Sequence, residues 1–290
     1  MLSIQTLATV SVFAAAFLHA IWNFILKDSS DKAVGIAIIY FTSLPFALAG
    51  MFFFGFPNVN ALPIILLSGL FQTGYCILLF KGYEAGNLSS VYPIARGSAP
   101  LFIYLCSVQF FDASTTLQAF LGVTIICFGI IYFGWERTKR NNSNSTEILY
   151  ALGIGAFIAA YSITDAIGTN LIGNAFSFFG AMAIINRLLL VGYLSLFEEQ
   201  IMQRIKTSFD LRYVSAGLIS FACYAVILWA YTVLPVPVVS SIRETSVVFA
   251  ALIGVFVLHE GLNFSKGLMI IMVVIGPVSY THLTLPTRYR

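Results

Sequence analysis

The sequence predicts an all-α polytopic membrane protein: ten transmembrane helices arranged as two inverted five-helix repeats, the last helix cut short. Three observations carry that expectation. First, 59% of the 290 residues are hydrophobic and only 9% are charged, against roughly 25% charged in an ordinary soluble domain. Mean hydropathy is +0.91, and the excess apolar surface must face lipid. Second, the apolar residues form continuous runs close to the ~20 residues that one helix needs to cross the hydrocarbon. They do not alternate, which excludes a β-barrel. Third, charged landmarks recur at matching depths in the two halves. Composition also excludes a soluble enzyme, a disordered chain and a disulfide scaffold, and a net charge of +3 without long basic runs speaks against a nucleic-acid partner.

The spans follow in order. The first, Leu7–Leu26, carries a polar face and ends at Lys27. The second and third are Ala33–Phe54 and Leu62–Phe80. The fourth, Val91–Phe110, is punctuated by Pro93, Gly97 and Pro100. The fifth is Thr116–Phe133. A hydrophilic linker, Glu136–Glu147, follows near the midpoint of the chain, with Arg137, Lys139 and Arg140 ahead of an Asn/Ser run. Then come Ile148–Ile167, Ala175–Phe197 and Tyr213–Val233, the last two joined by the polar stretch Glu198–Arg212. The ninth span, Val238–Leu258, is preceded by Pro235 and Pro237, and the tenth starts at Gly267. This sets the first repeat at residues 1–135, the linker at 136–147 and the second repeat at 148–276. Cys76, Cys106, Cys127 and Cys223 lie inside apolar stretches without CxxC spacing and read as small buried hydrophobes.

Orientation comes from the connecting loops. Lys27, Lys32, Lys81, Arg137, Lys139, Arg140, Arg204, Lys206, Arg212 and Lys266 all fall in alternate loops, and the other loops hold no base. The positive-inside rule puts the basic set in the cytoplasm and the N-terminus outside it.

The repeat is read from residues 91–101, VYPIARGSAPL, against residues 238–248, VVSSIRETSVV. A shift of 147 aligns Arg96 with Arg243 and Ser98 with Thr245. Tyr83 aligns with Tyr231 after a one-residue gap, and Asp112 and Glu260 play equivalent parts downstream. An odd number of spans per repeat forces the second copy into the membrane from the opposite side. Such symmetry suits alternating access around a midplane site.

Charges inside a span cost at least ~2.5–3.5 kcal/mol each and turn toward a bundle interior or a wet cavity. Five are expected here: Arg96, Asp165, Arg187, Arg243 and Glu244. Arg96 and Arg243 enter from opposite faces and approach the midplane, where a guanidinium can anchor an anionic group or form half of a gating ion pair. Glu244 is a neighbouring candidate for the same site. Asp165 is a candidate for proton coupling, and Arg187 for gating; pairing of the two is the structural alternative. Pro100 deprives the Arg96 carbonyl of its donor, so a kink is expected there. His19, Trp22 and Asn23 share one face of the first span and, with Tyr92 and Tyr161, are candidates for lining the substrate cavity. Tyr224 and Tyr231 are candidates for the same wall. No metal, cofactor or enzyme motif is present: there is no HExxH, Walker loop or G-x-S-x-G.

Four stretches resemble one family. LHAIWNFILKDSSDK (residues 18–32), VYPIARGSAP (91–100), AAYSITDAIG (159–168) and SSIRETSVVFAALIGVFVLHE (240–260) are similar, in order and spacing, to the first, fourth, sixth and ninth helices of EamA-type carriers in the drug/metabolite transporter superfamily. The resemblance implies a secondary transporter, more often an exporter, of small polar metabolites such as amino acids or organic anions. The substrate would be anionic or zwitterionic and sit between the halves of a monomer or homodimer in a bacterial inner membrane, with a proton as candidate coupling ion. One departure concerns orientation. Many members carry a basic loop between the second and third helices, with the N-terminus inside, whereas residues 55–61 here hold no base. Two other readings stand beside this one: a receptor or assembly subunit without transport, and a membrane enzyme acting on lipid head groups through His259 and Glu260. Finally, VSYTHL in the closing stretch PVSYTHLTLPTRYR resembles translated sequencing adapter. Residues 277–290 are therefore expected to be non-native, with the last helix stopping near Gly276.

Overall fold

The computed structural model describes residues 3–85, 88–111, 117–140, 145–256 and 264–284. Among these residues the chain is all α-helical. Its elements are α1 (Ile4–Asp28), α2 (Lys32–Phe54), a short 3-10 turn (Val59–Ala61), α3 (Leu62–Ala85), α4 (Leu88–Phe111), α5 (Leu117–Arg140), α6 (Ser145–Ile172), α7 (Ala175–Phe197), α8 (Ile201–Thr207), α9 (Leu211–Ala230), α10 (Val236–Arg243), α11 (Thr245–Phe256) and α12 (Phe264–Thr284). Among the described residues, seven helical segments are long and apolar enough to cross a bilayer: α1, α2, α3 with its preceding turn, α6, α7, α9 and the α10–α11 pair. The chain is an all-α polytopic membrane protein.

Caps fix where several rods begin. The side chains of Asp31 and Asn174 accept hydrogen bonds from the free N–H groups of Val34 (3.1 Å) and Phe176 (3.0 Å) at the starts of α2 and α7, and Asp210 accepts from Arg212 N–H (2.8 Å) at the start of α9. The inward faces carry small residues. In α1, Ala8, Val12, Ala15, Ala16 and Ala20 are buried while Ile4, Leu7, Val10, Phe13 and Phe17 are exposed. That is the reverse of a soluble helix, because lipid solvates large apolar side chains and close helix contact favours small ones. Gly217 of α9 shows the limit of this: a Cβ there would stand 2.7 Å from the Ile39 carbonyl oxygen of α2.

The tightest helix pairs are α5 with α12, α3 with α6, α4 with α5 and α6, α1 with α9, and α2 with α7; α2 also packs on α9 and α3 on α7. At one end of the bundle, polar contacts tie the α1–α2 turn to the region around α8. Arg204 holds Asp31 in a two-pronged pair, both distances 2.8 Å, and reaches Glu198 at 3.1 Å. Arg212 reaches Asp28 at 3.0 Å, and the Tyr213 hydroxyl donates to Ser29 Oγ at 2.8 Å. Burial alone would raise the Asp31 carboxyl, but the hydrogen bonds from Arg204 and from the Val34 N–H outweigh it and hold the group below its ordinary range.

Several sequence expectations are corrected. The stretch Glu198–Arg212 contains a short helix, α8. The two ends of the expected linker belong to helices: α5 runs to Arg140 and α6 starts at Ser145. Lys266 is a buried residue of α12 and not a loop base. α4 is one continuous helix that contains Pro93 and Pro100, and an interruption that the sequence did not announce falls at Glu244, between α10 and α11, where the Glu244 N–H is shared between the Ser240 and Ser241 carbonyls. α12 does not stop near Gly276 but continues through Pro277 to Thr284; a proline deletes one hydrogen bond of the ladder without obliging the helix to end. Asp112, His259 and Glu260 lie outside the described residues.

Candidate functional site

The site is built from side chains that the rods bring to mid-depth. Arg96 lies eight residues into α4 and Glu244 eight residues past the start of α10, each about 12 Å along its helix at ~1.5 Å per residue. They meet there. Arg96 Nε stands 3.2 Å from Glu244 Oε2, and both residues are buried. Arg96 also donates to the Arg243 carbonyl and to Ser246 Oγ, both at 3.0 Å. That carbonyl sits at the break between α10 and α11, so the guanidinium supplies a donor where the helix is interrupted.

Beside this pair is a cavity of about 40 Å³, room for one or two waters. Its walls come from seven helices: His19 and Trp22 of α1, Tyr40 and Ser43 of α2, Gln72 and Tyr75 of α3, Tyr161 of α6, Phe179 and Arg187 of α7, Ser220, Phe221, Cys223 and Tyr224 of α9, and Arg243 of α10. A smaller adjoining space is bounded by Ala15, Ala16, His19, Arg96, Cys223, Tyr224, Ile227 and Arg243. The aromatic rings contact one another: Tyr75 and Tyr161 at 5.4 Å, Phe179 and Tyr224 at 5.4 Å, Phe179 and Phe221 stacked at 5.5 Å. In this conformation the space is of water size.

The two cavity arginines are held by neutral acceptors. Arg243 donates to the Ser162 and Tyr231 hydroxyls and to the Tyr161 hydroxyl, at 3.2–3.3 Å. Arg187 donates to the Tyr40 carbonyl (3.1 Å), to Asn186 Oδ1 (3.0 Å) and to Ser43 Oγ, with its guanidinium 4.9 Å from the Tyr40 ring centre. His19 has a constrained tautomer. Its Nδ1 is 3.2 Å from Trp22 Nε1, which can only donate, so Nδ1 accepts and a neutral ring carries its proton on Nε2, which is buried without a partner.

Of the sequence candidates, His19, Trp22, Tyr161, Arg187 and Arg243 line the main cavity, and Arg96 borders the smaller space. Glu244 is withdrawn into its ion pair. Tyr92 sits beside it, 3.4 Å from Ser246 Oγ. Asn23 is turned into its own helix and donates to the His19 carbonyl. Asp165 is fully buried behind the wall and accepts from Ser68, Gln72 and Tyr224. The alternative pairing of Asp165 with Arg187 is not formed: three neutral donors satisfy the acid, and a carbonyl, an amide and a hydroxyl satisfy the base. Tyr40, Ser43, Gln72 and Tyr75 were not anticipated. Gln72, a primary amide in an apolar run, was the one with a readable signal. Among the described residues no cluster of His, Cys, Asp and Glu could hold a metal ion.

Comparison with known proteins places this geometry in context. The profile of the EamA-like transporter family matches residues 145–280. A protein of Listeria monocytogenes, named provisionally as a sugar uptake protein, is 24% identical over 175 residues, and a Listeria innocua protein of the same name is 23% identical over 175 residues. Each match covers 58% of this chain and 59% of the relative's length. A solved crystal structure of a further protein superposes with a TM-score of 0.72, covering 96% of each chain at 16% identity, a likeness of fold alone.

Proposed function

We propose that this chain is a secondary carrier of small polar metabolites working by alternating access, a reading supported by the match of its second half to the EamA-like transporter family. The observation that carries the proposal is the cavity itself: a polar, arginine-bearing space at mid-depth, walled by helices of both halves of the chain.

Two inverted five-helix halves supply the moving parts. Adding 147 to the bounds of α3, α4 and α5 gives those of α9, of α10–α11 taken together and of α12 to within three residues, and α1 and α2 fall on α6 and α7 to within six. The packing supports the same exchange. The α3–α6 contact has its counterpart in α9–α1, α2–α9 in α7–α3, and α4–α6 in the contacts of α10 and α11 with α1, while α2–α7 and α5–α12 map onto themselves. Two hydrogen bonds join residues separated by that same 147: Arg96 to the Arg243 carbonyl, and Arg187 to the Tyr40 carbonyl. A residue that touches its own counterpart lies at the pseudo-two-fold axis. On this reading α4, α5 and α12 also cross the membrane, for ten spans in all.

The contacts across the halves are then the gating elements. Arg96 with Glu244, Arg187 with Ser43, and Asp165 with Ser68 and Gln72 each join one half to the other. Asp165 is the candidate proton carrier. The basic end, with Lys27, Lys32, Arg204 and Arg212, faces the cytoplasm of a bacterial inner membrane. The relatives' name makes a sugar one substrate to test; direction follows whichever gradient drives the carrier. The experiment is counterflow in proteoliposomes against labelled sugars, amino acids and organic acids. Exchange of one class, lost in Arg243→Gln, is the expected result. Silence across the panel from folded, inserted protein would overturn the carrier reading.

A further inference from the structure

We infer that the carried molecule is a small organic anion, gripped through a carboxylate or phosphoryl group by Arg187 and Arg243, and not a neutral sugar. This rests on the carrier reading for its physiological meaning but is tested by binding alone.

The inference comes from an inventory of donors and charge. A guanidinium has five N–H groups. Arg187 directs three of them to Tyr40, Asn186 and Ser43, and Arg243 directs its contacts to three hydroxyls. Each arginine keeps donors to spare, and among the described residues neither forms an ion pair. His19 adds a third donor at the same wall, its Nε2 buried without a partner. Each hydroxyl of a neutral sugar brings a donor along with its acceptor lone pairs. Carboxylate and phosphoryl groups present acceptors alone, and their oxygens match the guanidinium fork.

Charge points the same way. Arg96 is offset by Glu244, and among the described residues Asp165 is the one further acid buried nearby. Three guanidiniums against two carboxylates leave one positive charge at mid-depth, which a single anionic group would neutralise. The arginines are held on different helix groups: Arg187 by residues of α2 and α7, Arg243 by residues of α6 and of the turn after α9. The rings of Tyr75, Tyr161, Phe179 and Tyr224 complete the wall, a surface suited to the C–H or ring face of the same molecule.

Trp22 gives a direct reporter. With Trp135 and Trp229 replaced by Phe in the full-length chain, Trp22 fluorescence in nanodiscs is titrated with matched probes: glucose against glucuronate and glucose 6-phosphate, and benzamide against benzoate. At least one acid is expected to half-saturate at a concentration tenfold or more below its neutral partner, and the glucose series tells carboxylate from phosphoryl. R187Q should raise that concentration at least tenfold. R187K, which keeps the charge but not the fork, should weaken binding and keep the preference for the acid, and it serves where R187Q does not fold. Equal response to acid and neutral partner, an R187Q titration like that of the parent, or no response to any acid from folded protein would each overturn the inference. Glucose exchange in counterflow with a Trp22 response to glucose alone would leave the carrier reading intact and remove this one. Acid binding without flux would do the reverse.

Discussion

Whether Arg96 and Glu244 act as a pair can be decided by a double-mutant cycle. The charges stand 3.2 Å apart with both side chains buried. At an effective dielectric of ~20 that separation corresponds to about 5 kcal/mol of attraction, set against the cost of keeping both ions out of water. Removing one partner of such a pair typically costs ~3–5 kcal/mol, and replacing both by apolar residues of similar volume is often near neutral. The two single variants should differ. In Glu244→Leu, Arg96 still donates to the Arg243 carbonyl and to Ser246 Oγ, so the loss belongs at about 3 kcal/mol. In Arg96→Met, the buried Glu244 carboxylate loses its ion pair while its Oε2 has no hydrogen bond to fall back on, and the loss belongs nearer about 5 kcal/mol. The double variant should recover most of both, giving a coupling of at least ~3 kcal/mol. The assay is reversible unfolding in mixed micelles titrated with a denaturing detergent. Single losses below ~1 kcal/mol that simply add would show that water or lipid head groups, and not the partner, compensate each charge.

Other expectations follow from the same geometry. Asp165→Asn presents amide hydrogens to a site already filled with donors from Ser68, Gln72 and Tyr224; it should cost ~1–3 kcal/mol and abolish uphill, proton-driven accumulation while sparing counterflow, and unimpaired uphill transport would remove Asp165 from coupling. Gly217→Ala gains ~1 kcal/mol of helix propensity but sets a Cβ 2.7 Å from a carbonyl oxygen that cannot move freely, at ~1–3 kcal/mol of overpacking, so unfolding should show a net loss; a stabilised variant would mean that α2 and α9 slide apart easily. Asp31 is held below its ordinary carboxylate range, so its contribution is present above that range and is lost as pH falls through the lowered folded-state value. Arg204→Ala should therefore cost ~0.2–1 kcal/mol near neutral pH and almost nothing at about pH 2, and an equal penalty at both would refute the assignment.

What the sequence disclosed depended on which solvent did the selecting. Lipid demands a continuous apolar face and satisfied backbone, so the long spans were visible as runs, and the N-caps at Asp31 and Asp210 begin two of them near the expected positions. Buried charge was equally visible, because each charged residue in hydrocarbon must have a reason to be there; Arg96, Arg187, Arg243 and Glu244 all proved to be buried and engaged. Partner choice was not visible. Asp165 and Arg187 were a natural pair by charge, yet the acid faces Ser68 and Tyr224 and the base faces Tyr40 and Ser43, since hydroxyls, amides and carbonyls in an apolar run carry no sign that pattern reading can match. The interruption at Glu244 was not visible for a related reason. A proline announces a missing donor, as at Pro100, but a donor can also be supplied from another helix, as Arg96 does at the Arg243 carbonyl, and then the helix parts where no proline stands. That arrangement makes the interruption at Glu244 conditional on contact between the two halves. Motion that separates Arg96 from the α10–α11 junction would leave a carbonyl to be satisfied by water or by rewinding of the helix, so in the proposed alternating-access cycle opening of the cavity is expected to reshape its Arg243 wall.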